Sequence, residues 1–79
     1  MVTIKILGSG CAKCKTLHAH VQDLVDRHHL PATVTKVEDI MEIMKYGILS
    51  TPGLVINGKV KSVGSVPKDE QLLTWINEG

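Results

Sequence analysis

Two cysteines, Cys11 and Cys14, are the residues of this sequence best suited to chemistry, and only two residues separate them. They lie in the stretch LGSGCAKCKTLHAH, residues 7–20, which also contains two of the four histidines. A cysteine pair at this spacing can exchange electrons through a disulfide, bind a metal, or lie inertly in a core. The surrounding sequence must distinguish among these three possibilities.

The spacing favours thiol–disulfide exchange over a purely structural bridge. A disulfide between Cys11 and Cys14 closes a very short loop, which restrains the unfolded chain far less than the long loops that structural disulfides close. The reactive form of a cysteine is the thiolate, and the unpaired N–H groups at a helix N-terminus favour that anion. Lys13 and Lys15 add positive charge beside the pair.

A metal site is the main alternative. Cys11, Cys14 and His18 lie within about one helical turn of one another, and small heavy-metal chaperone domains also place a CxxC pair after their first strand. A structural zinc site takes four ligands, so histidines would have to complete it. His18 could instead tune or protonate the cysteine site, or simply be solvated. Two buried, inert thiols are the third possibility, because cysteine is often buried.

Length and composition exclude several classes of protein. The 79 residues allow one domain, 1–79, with one small core. Nine Lys plus Arg balance eight Asp plus Glu, and Tyr46 and Trp75 are the only aromatic side chains, which argues against nucleic acid. The N-terminal run does not resemble a signal peptide, and no window approaches the ~20 apolar residues of a membrane span. We therefore expect a cytoplasmic protein without a membrane or nucleic-acid partner, in a compartment where structural disulfides are rare.

Hydrophobic periodicity predicts the elements that position the cysteines. VTIKIL, residues 2–7, is a β-rich run that ends at a glycine-rich turn, which is typical of a buried strand. Apolar residues at helical spacing then predict a helix from Cys11 to about His28; they are Leu17, Val21, Leu24 and Val25. ATVTKV, residues 32–37, predicts a second strand, parallel to the first and joined to it by a right-handed crossover. The cysteines therefore lie at a helix N-terminus.

A short second helix is predicted after this βαβ unit. Asp39 is a suitable N-cap, and the helix should end at Tyr46 because Gly47 suits the left-handed position that follows a helix. Met41 and Met44 are spaced by three residues, and we expect them to fill the core.

A hairpin and a third helix complete the predicted order βαβαββα. LVI, residues 54–56, and KVKSV, residues 59–63, flank Asn57-Gly58, the strongest short signal for a type I′ turn. Pro67 and the acidic residues after it predict a helix start. The buried side of this helix should consist of Leu72, Leu73 and Ile76.

A CxxC pair beside a βαβ pattern is typical of thioredoxin-like redox motifs, and this sequence resembles a known family. IKILGSGCAKCK (4–15), KYGILSTPGLVINGKV (45–60) and Gly64 before a terminal amphipathic helix are similar to the small thioredoxin-like proteins called redox-active disulfide proteins. The resemblance implies an α/β thioredoxin fold, with a four-stranded mixed sheet of order 2-1-3-4 flanked by three helices. The first strand differs from better-known relatives in carrying Lys5 and no buried acid that could relay a proton.

The same resemblance implies an oxidoreductase that exchanges electrons with protein dithiols and disulfides and has a reductase as its second partner. Cys11 would be the exposed nucleophile and Cys14 the resolving cysteine. Apart from the resemblance, we expect Thr51, Pro52 and Lys13 to bind substrate. Pro52 would be a cis-proline opposite the disulfide, turning the backbone of Thr51 toward an extended substrate segment. We expect a monomer with no cofactor and no metal.

Overall fold

A computed structural model describes residues 1–8 and 10–78 of the chain. Within these residues the elements follow the predicted order βαβαββα. They are β1 (Val2–Leu7), α1 (Ala12–Arg27), β2 (Ala32–Val37), α2 (Ile40–Lys45), β3 (Gly53–Ile56), β4 (Lys59–Val63) and α3 (Asp69–Glu78). None of the helices in this part of the chain is long and apolar enough to span a membrane.

The four strands form one mixed sheet in the order β2-β1-β3-β4. β1 pairs in parallel with β2, with Ile4 opposite Val34, and antiparallel with β3, with Ile4 opposite Ile56. β3 and β4 form the hairpin, in which Asn57 and Gly58 have φ angles of 50° and 82°. Positive φ at both central residues is the requirement of a type I′ turn. The predicted sheet order and hairpin are therefore confirmed.

The two faces of the sheet carry cores of different size. Ile4 and Ile6 of β1 face α1 and α3, in a cluster completed by Val2, Leu17, Val21, Leu24, Val25, Leu54, Ile56, Leu72 and Ile76. Leu7 belongs to the smaller cluster on the other face, with Ile43 of α2 and Val55 of β3. The predicted apolar stripe of α1 is buried as expected. This large core fixes the position of the α1 N-terminus relative to the end of β1.

The short helix α2 corrects one prediction. Its Asp39 cap is present, since the side chain accepts a hydrogen bond from the backbone N–H of Met41 at 2.9 Å. Met41 and Met44, however, are 66% and 63% exposed, so the prediction that they fill the core was wrong. The helix has only six residues, and Ile43 is the one that it buries against the sheet. The two methionines are left on the surface.

Candidate active site

The two cysteines lie at the N-terminus of α1, and the structure joins them in a disulfide. Cys11 is the N-cap residue and is partly exposed, whereas the Cys14 side chain is 4% exposed. The Sγ atom of Cys11 accepts a hydrogen bond from the backbone N–H of Cys14 at 3.0 Å. A sulfur therefore takes the place of the hydroxyl or carboxylate oxygen that usually caps a helix.

The charges around the α1 N-terminus favour an anion on Cys11 in the reduced protein. The first turn of α1 contains no acidic residue, and Lys13 and Lys15 are both exposed there. A helix N-terminus stabilises a nearby anion by about 0.3–1 kcal/mol at the surface and by up to ~2 kcal/mol when partly buried. The N–H that donates to the sulfur of Cys11 provides a hydrogen bond in addition. The more accessible cysteine thus lies where a backbone N–H donor and positive charge both favour an anion.

The loop before β3 lies against the cysteines from the other side. The peptide bond between Thr51 and Pro52 is cis, Pro52 is buried, and Thr51 is exposed. The carbonyl of Pro52 accepts a hydrogen bond from the backbone N–H of Gly64 at 2.8 Å, which ties this loop to the segment after β4. This hydrogen bond holds the backbone next to Thr51 in place, while Thr51 itself lies at the surface.

Gly8 is the residue that allows this loop and the cysteines to approach each other. A Cβ atom built on Gly8 would lie 2.8 Å from the Sγ of Cys14 and 2.9 Å from the Cβ of Thr51, distances that real contacts do not reach. The sequence pattern indicates only a turn at Gly8 and does not reveal this close approach. The available signal was a glycine directly between a buried strand and the CxxC pair.

An apolar groove begins at Thr51 and continues along α2. Five apolar side chains line it, together with Gly8, Glu38, Ser50 and Thr51; they are Ile40, Ile43, Met44, Ile48 and Leu49. Its volume is about 360 Å³. Leu49 is fully exposed, and Ile40 is 69% exposed. The sequence pattern does not reveal this groove, because the spacing of Met44 predicts a core residue.

A second cavity, of about 130 Å³, adjoins Cys14 and shares Gly8 and Glu38 with the lining of the apolar groove. We call it the Cys14 cavity; it is lined by Cys14, Lys15, His18, Lys36 and Glu38, together with two glycines of the preceding loop. His18 is half-buried here, whereas His20 is exposed, with its Nδ1 3.2 Å from a carboxylate oxygen of Asp69. The structure thus places His18 in the lining of the same cavity as Cys14.

The metal-binding alternative is not supported. Among residues 1–8 and 10–78, no group of three or more His, Cys, Asp or Glu side chains is arranged to hold a metal ion. Cys14, His18 and Glu38 line one cavity, but in that part of the chain their donor atoms are not arranged to hold a metal ion. The sulfurs of Cys11 and Cys14 are bonded to each other.

Comparisons with known proteins agree with this geometry. A family model described as a thioredoxin domain matches residues 2–77. The chain is 31% identical over 72 residues to a thioredoxin of Methanothermobacter thermautotrophicus, covering 91% of this chain and 94% of that protein. It is 32% identical over 72 residues to a thioredoxin of Methanocaldococcus jannaschii, covering 91% and 83%. A solved mutant thioredoxin from Halobacterium salinarum NRC-1 has a TM-score of 0.77 at 21% identity, covering 98% of this chain and 73% of that chain, which shows the shared fold.

Proposed function

We propose, for a chain that belongs to the thioredoxin family, that Cys11 and Cys14 carry out its redox chemistry as nucleophile and resolving cysteine. The protein is a thiol–disulfide oxidoreductase, because thioredoxins are disulfide oxidoreductases and this chain has two cysteines at CxxC spacing within disulfide distance. Thioredoxins act on protein disulfides and are reduced by a reductase. The same two classes of partner are assigned to this chain.

The observation that carries the proposal is the asymmetry between the two sulfurs. Cys11 is partly exposed and accepts an N–H hydrogen bond at the helix N-terminus, while Cys14 is buried. The thiolate of Cys11 attacks a substrate disulfide, and one substrate sulfur leaves as a thiolate. The thiolate of Cys14 then attacks the sulfur of Cys11, which releases the second substrate thiolate and leaves the Cys11–Cys14 disulfide. Two electrons pass to the substrate in each cycle.

The substrate is proposed to bind across Thr51, Lys13 and the apolar groove. The exposed backbone of Thr51 offers its N–H and C=O to an extended segment, as in strand addition. Lys13 is exposed two residues after Cys11 and can contact polar groups beside the substrate cysteine. The apolar groove begins at Thr51, so a substrate paired there can place an apolar side chain in it. These features favour protein disulfides over small disulfides.

One experiment tests the redox assignment directly. The reduced protein is mixed with a disulfide-containing protein, and the substrate thiols and the cysteines of this chain are counted by mass spectrometry after alkylation. We expect one intramolecular disulfide to form for each substrate disulfide reduced, and no turnover with Cys11→Ser. The metal content of the same preparation is measured in parallel. Stoichiometric metal with thiols protected from alkylation would contradict the proposal.

The apolar groove makes a separate prediction about affinity. Met44 lines the groove and Met41 does not, although both lie on α2 and are similarly exposed. Met44→Glu should raise KM for a protein disulfide flanked by apolar residues by about tenfold, because burying such a side chain is worth about 1.5–3 kcal/mol. The value of kcat, and the rate with a small disulfide, should not change.

Met41→Glu serves as the matched control, since it adds the same charge to the same helix outside the groove. Its KM should stay within about twofold of the wild-type value. Equal increases in KM for the two variants would indicate a general effect of charge on α2. An unchanged KM for Met44→Glu would remove the groove from the substrate site.

We further propose that residues 1–79 act as one domain, as a monomer in the cytoplasm. A disulfide that must be reduced again in each cycle suits a compartment that maintains reducing partners. Light scattering of the reduced protein checks the monomeric state, and a stable dimer would contradict it.

A further inference from the structure

The Cys14 cavity brings together ionisable groups that the redox step described above does not use. Lys15 and His18 reach it from α1, Lys36 from β2, and Glu38 from the segment after β2. Its volume of about 130 Å³ exceeds what one water molecule requires. Groups that can hold or move a proton therefore surround the resolving cysteine from more than one element of the fold.

The resolving step requires a base at this place. Cys14 is 4% exposed, and burial disfavours the charged form of a side chain. Its sulfur attacks as a thiolate, so the proton of the thiol must be removed as Cys14 reacts. A base beside Cys14 can take the proton while the sulfur attacks, so that no full charge has to form first on a buried sulfur.

His18 has the position and the chemistry for this task. It follows Cys14 by four residues on α1, and side chains at this spacing are neighbours on one helix face, with Cβ atoms ~5–6 Å apart. It is half-buried and lines the same cavity. Imidazole is the side-chain group that both accepts and donates protons near neutral pH.

The other charged groups near this site are less suitable. Lys15 and Lys36 carry ammonium groups, which are donors only. Glu38 is exposed, and a carboxylate is ordinarily a weaker base than an imidazole. Lys5, the ionisable residue of β1, belongs to another environment, since its Nζ donates a hydrogen bond to the Tyr46 hydroxyl at 3.4 Å.

We propose that His18 is the base that takes the proton of Cys14 during release of the substrate. The imidazole nitrogen accepts the proton, directly or through a water molecule in the Cys14 cavity, and the sulfur of Cys14 forms a bond to the sulfur of Cys11. The bond between Cys11 and the substrate sulfur breaks, and the substrate leaves as a thiolate that is protonated by the imidazolium or by solvent. The cysteine pair is oxidised by two electrons, and the substrate sulfurs are reduced. This role rests on the proposed order of the two cysteines.

The test separates attack from release. The reduced protein is mixed with one equivalent of an aromatic disulfide whose thiolate absorbs visible light, so that attack by Cys11 and release by Cys14 each liberate one coloured thiolate. With His18→Gln, we expect the second phase to slow by about tenfold or more near neutral pH, and the first phase to keep its rate. Circular dichroism of the variant beside the wild type checks that it is folded. With His18→Ala, added imidazole should restore the second phase.

His20→Gln is the matched control, because His20 lies on the same helix but is exposed beside Asp69, and both phases should be unchanged. The role of His18 would be overturned if His18→Gln released substrate at the wild-type rate or slowed both phases equally. It would also be overturned if Glu38→Gln, and not His18→Gln, slowed the second phase. Cys14→Ser should lose only the second phase. If it lost the first phase instead, the proposed order of the cysteines would fail, independently of His18.

Discussion

Cys14→Ser is expected to accumulate stable mixed disulfides with substrate proteins, whereas Cys11→Ser should form almost none. Cys11 is the more accessible sulfur and accepts a hydrogen bond from the backbone N–H of Cys14, so attack survives in the first variant. Release does not survive, because the attacking group for the second step is absent. The intramolecular step is normally fast, since one helical turn holds the two sulfurs at a high effective concentration. Without this intramolecular step, the mixed disulfide, which is normally short-lived, should become the main product.

The measurement is non-reducing electrophoresis followed by mass spectrometry of the complexes after each variant has been exposed to cell extract. Reduction of the samples before electrophoresis is the control, and it should dissolve every complex. Brief alkylation of the reduced wild-type protein at neutral pH should label Cys11 before Cys14, in agreement with their exposure. Equal trapping by the two variants, or preferential labelling of Cys14, would show that attack and resolution have been assigned to the wrong cysteines.

Local sequence signals were sufficient to predict most of the fold. β1 and β2 were predicted residue for residue, because each is a β-rich run that ends at a turn or helix signal. The α1 helix was predicted from its apolar stripe, and the hairpin from the Asn57-Gly58 turn. The order of the strands in the sheet came from the resemblance to a family, since periodicity does not state which strands are neighbours.

The features missed by the sequence analysis depend on contacts between distant parts of the chain. Met44 has the spacing of a core residue, but its exposure depends on how much of the sheet α2 covers. The Cys14 cavity exists because β2 brings Lys36, and the segment after it brings Glu38, to the side of α1 that carries His18. The helical spacing of Cys14 and His18 could be read from the sequence, whereas the cavity that they share could not.

Gly8→Ala should strongly reduce the free energy of unfolding. Gly8 has a φ angle of +131°, a conformation that other residues rarely adopt and that costs about 1–3 kcal/mol to impose on them. The new Cβ would also meet the Sγ of Cys14 at 2.8 Å and the Cβ of Thr51 at 2.9 Å. Overpacking of this kind typically costs a further ~1–3 kcal/mol. We expect the free energy of unfolding to fall by about 2–6 kcal/mol, a large fraction of the stability of a small domain.

Gly10→Ala separates the two causes, because Gly10 also has a positive φ, +76°, but a Cβ there would have no neighbour within 4 Å. The free energy of unfolding of Gly10→Ala should fall by about 1–2 kcal/mol, the cost of a left-handed conformation alone. Denaturant unfolding of the two variants beside the wild type gives both values. If they lost stability equally, the close approach of Cys14 and Thr51 around Gly8 would have no energetic consequence. We expect a larger loss of stability for Gly8→Ala and, in the molecules that remain folded, slower release by Cys14. These results would show that Cys14 and the loop at Thr51 can lie close together only because residue 8 has no side chain.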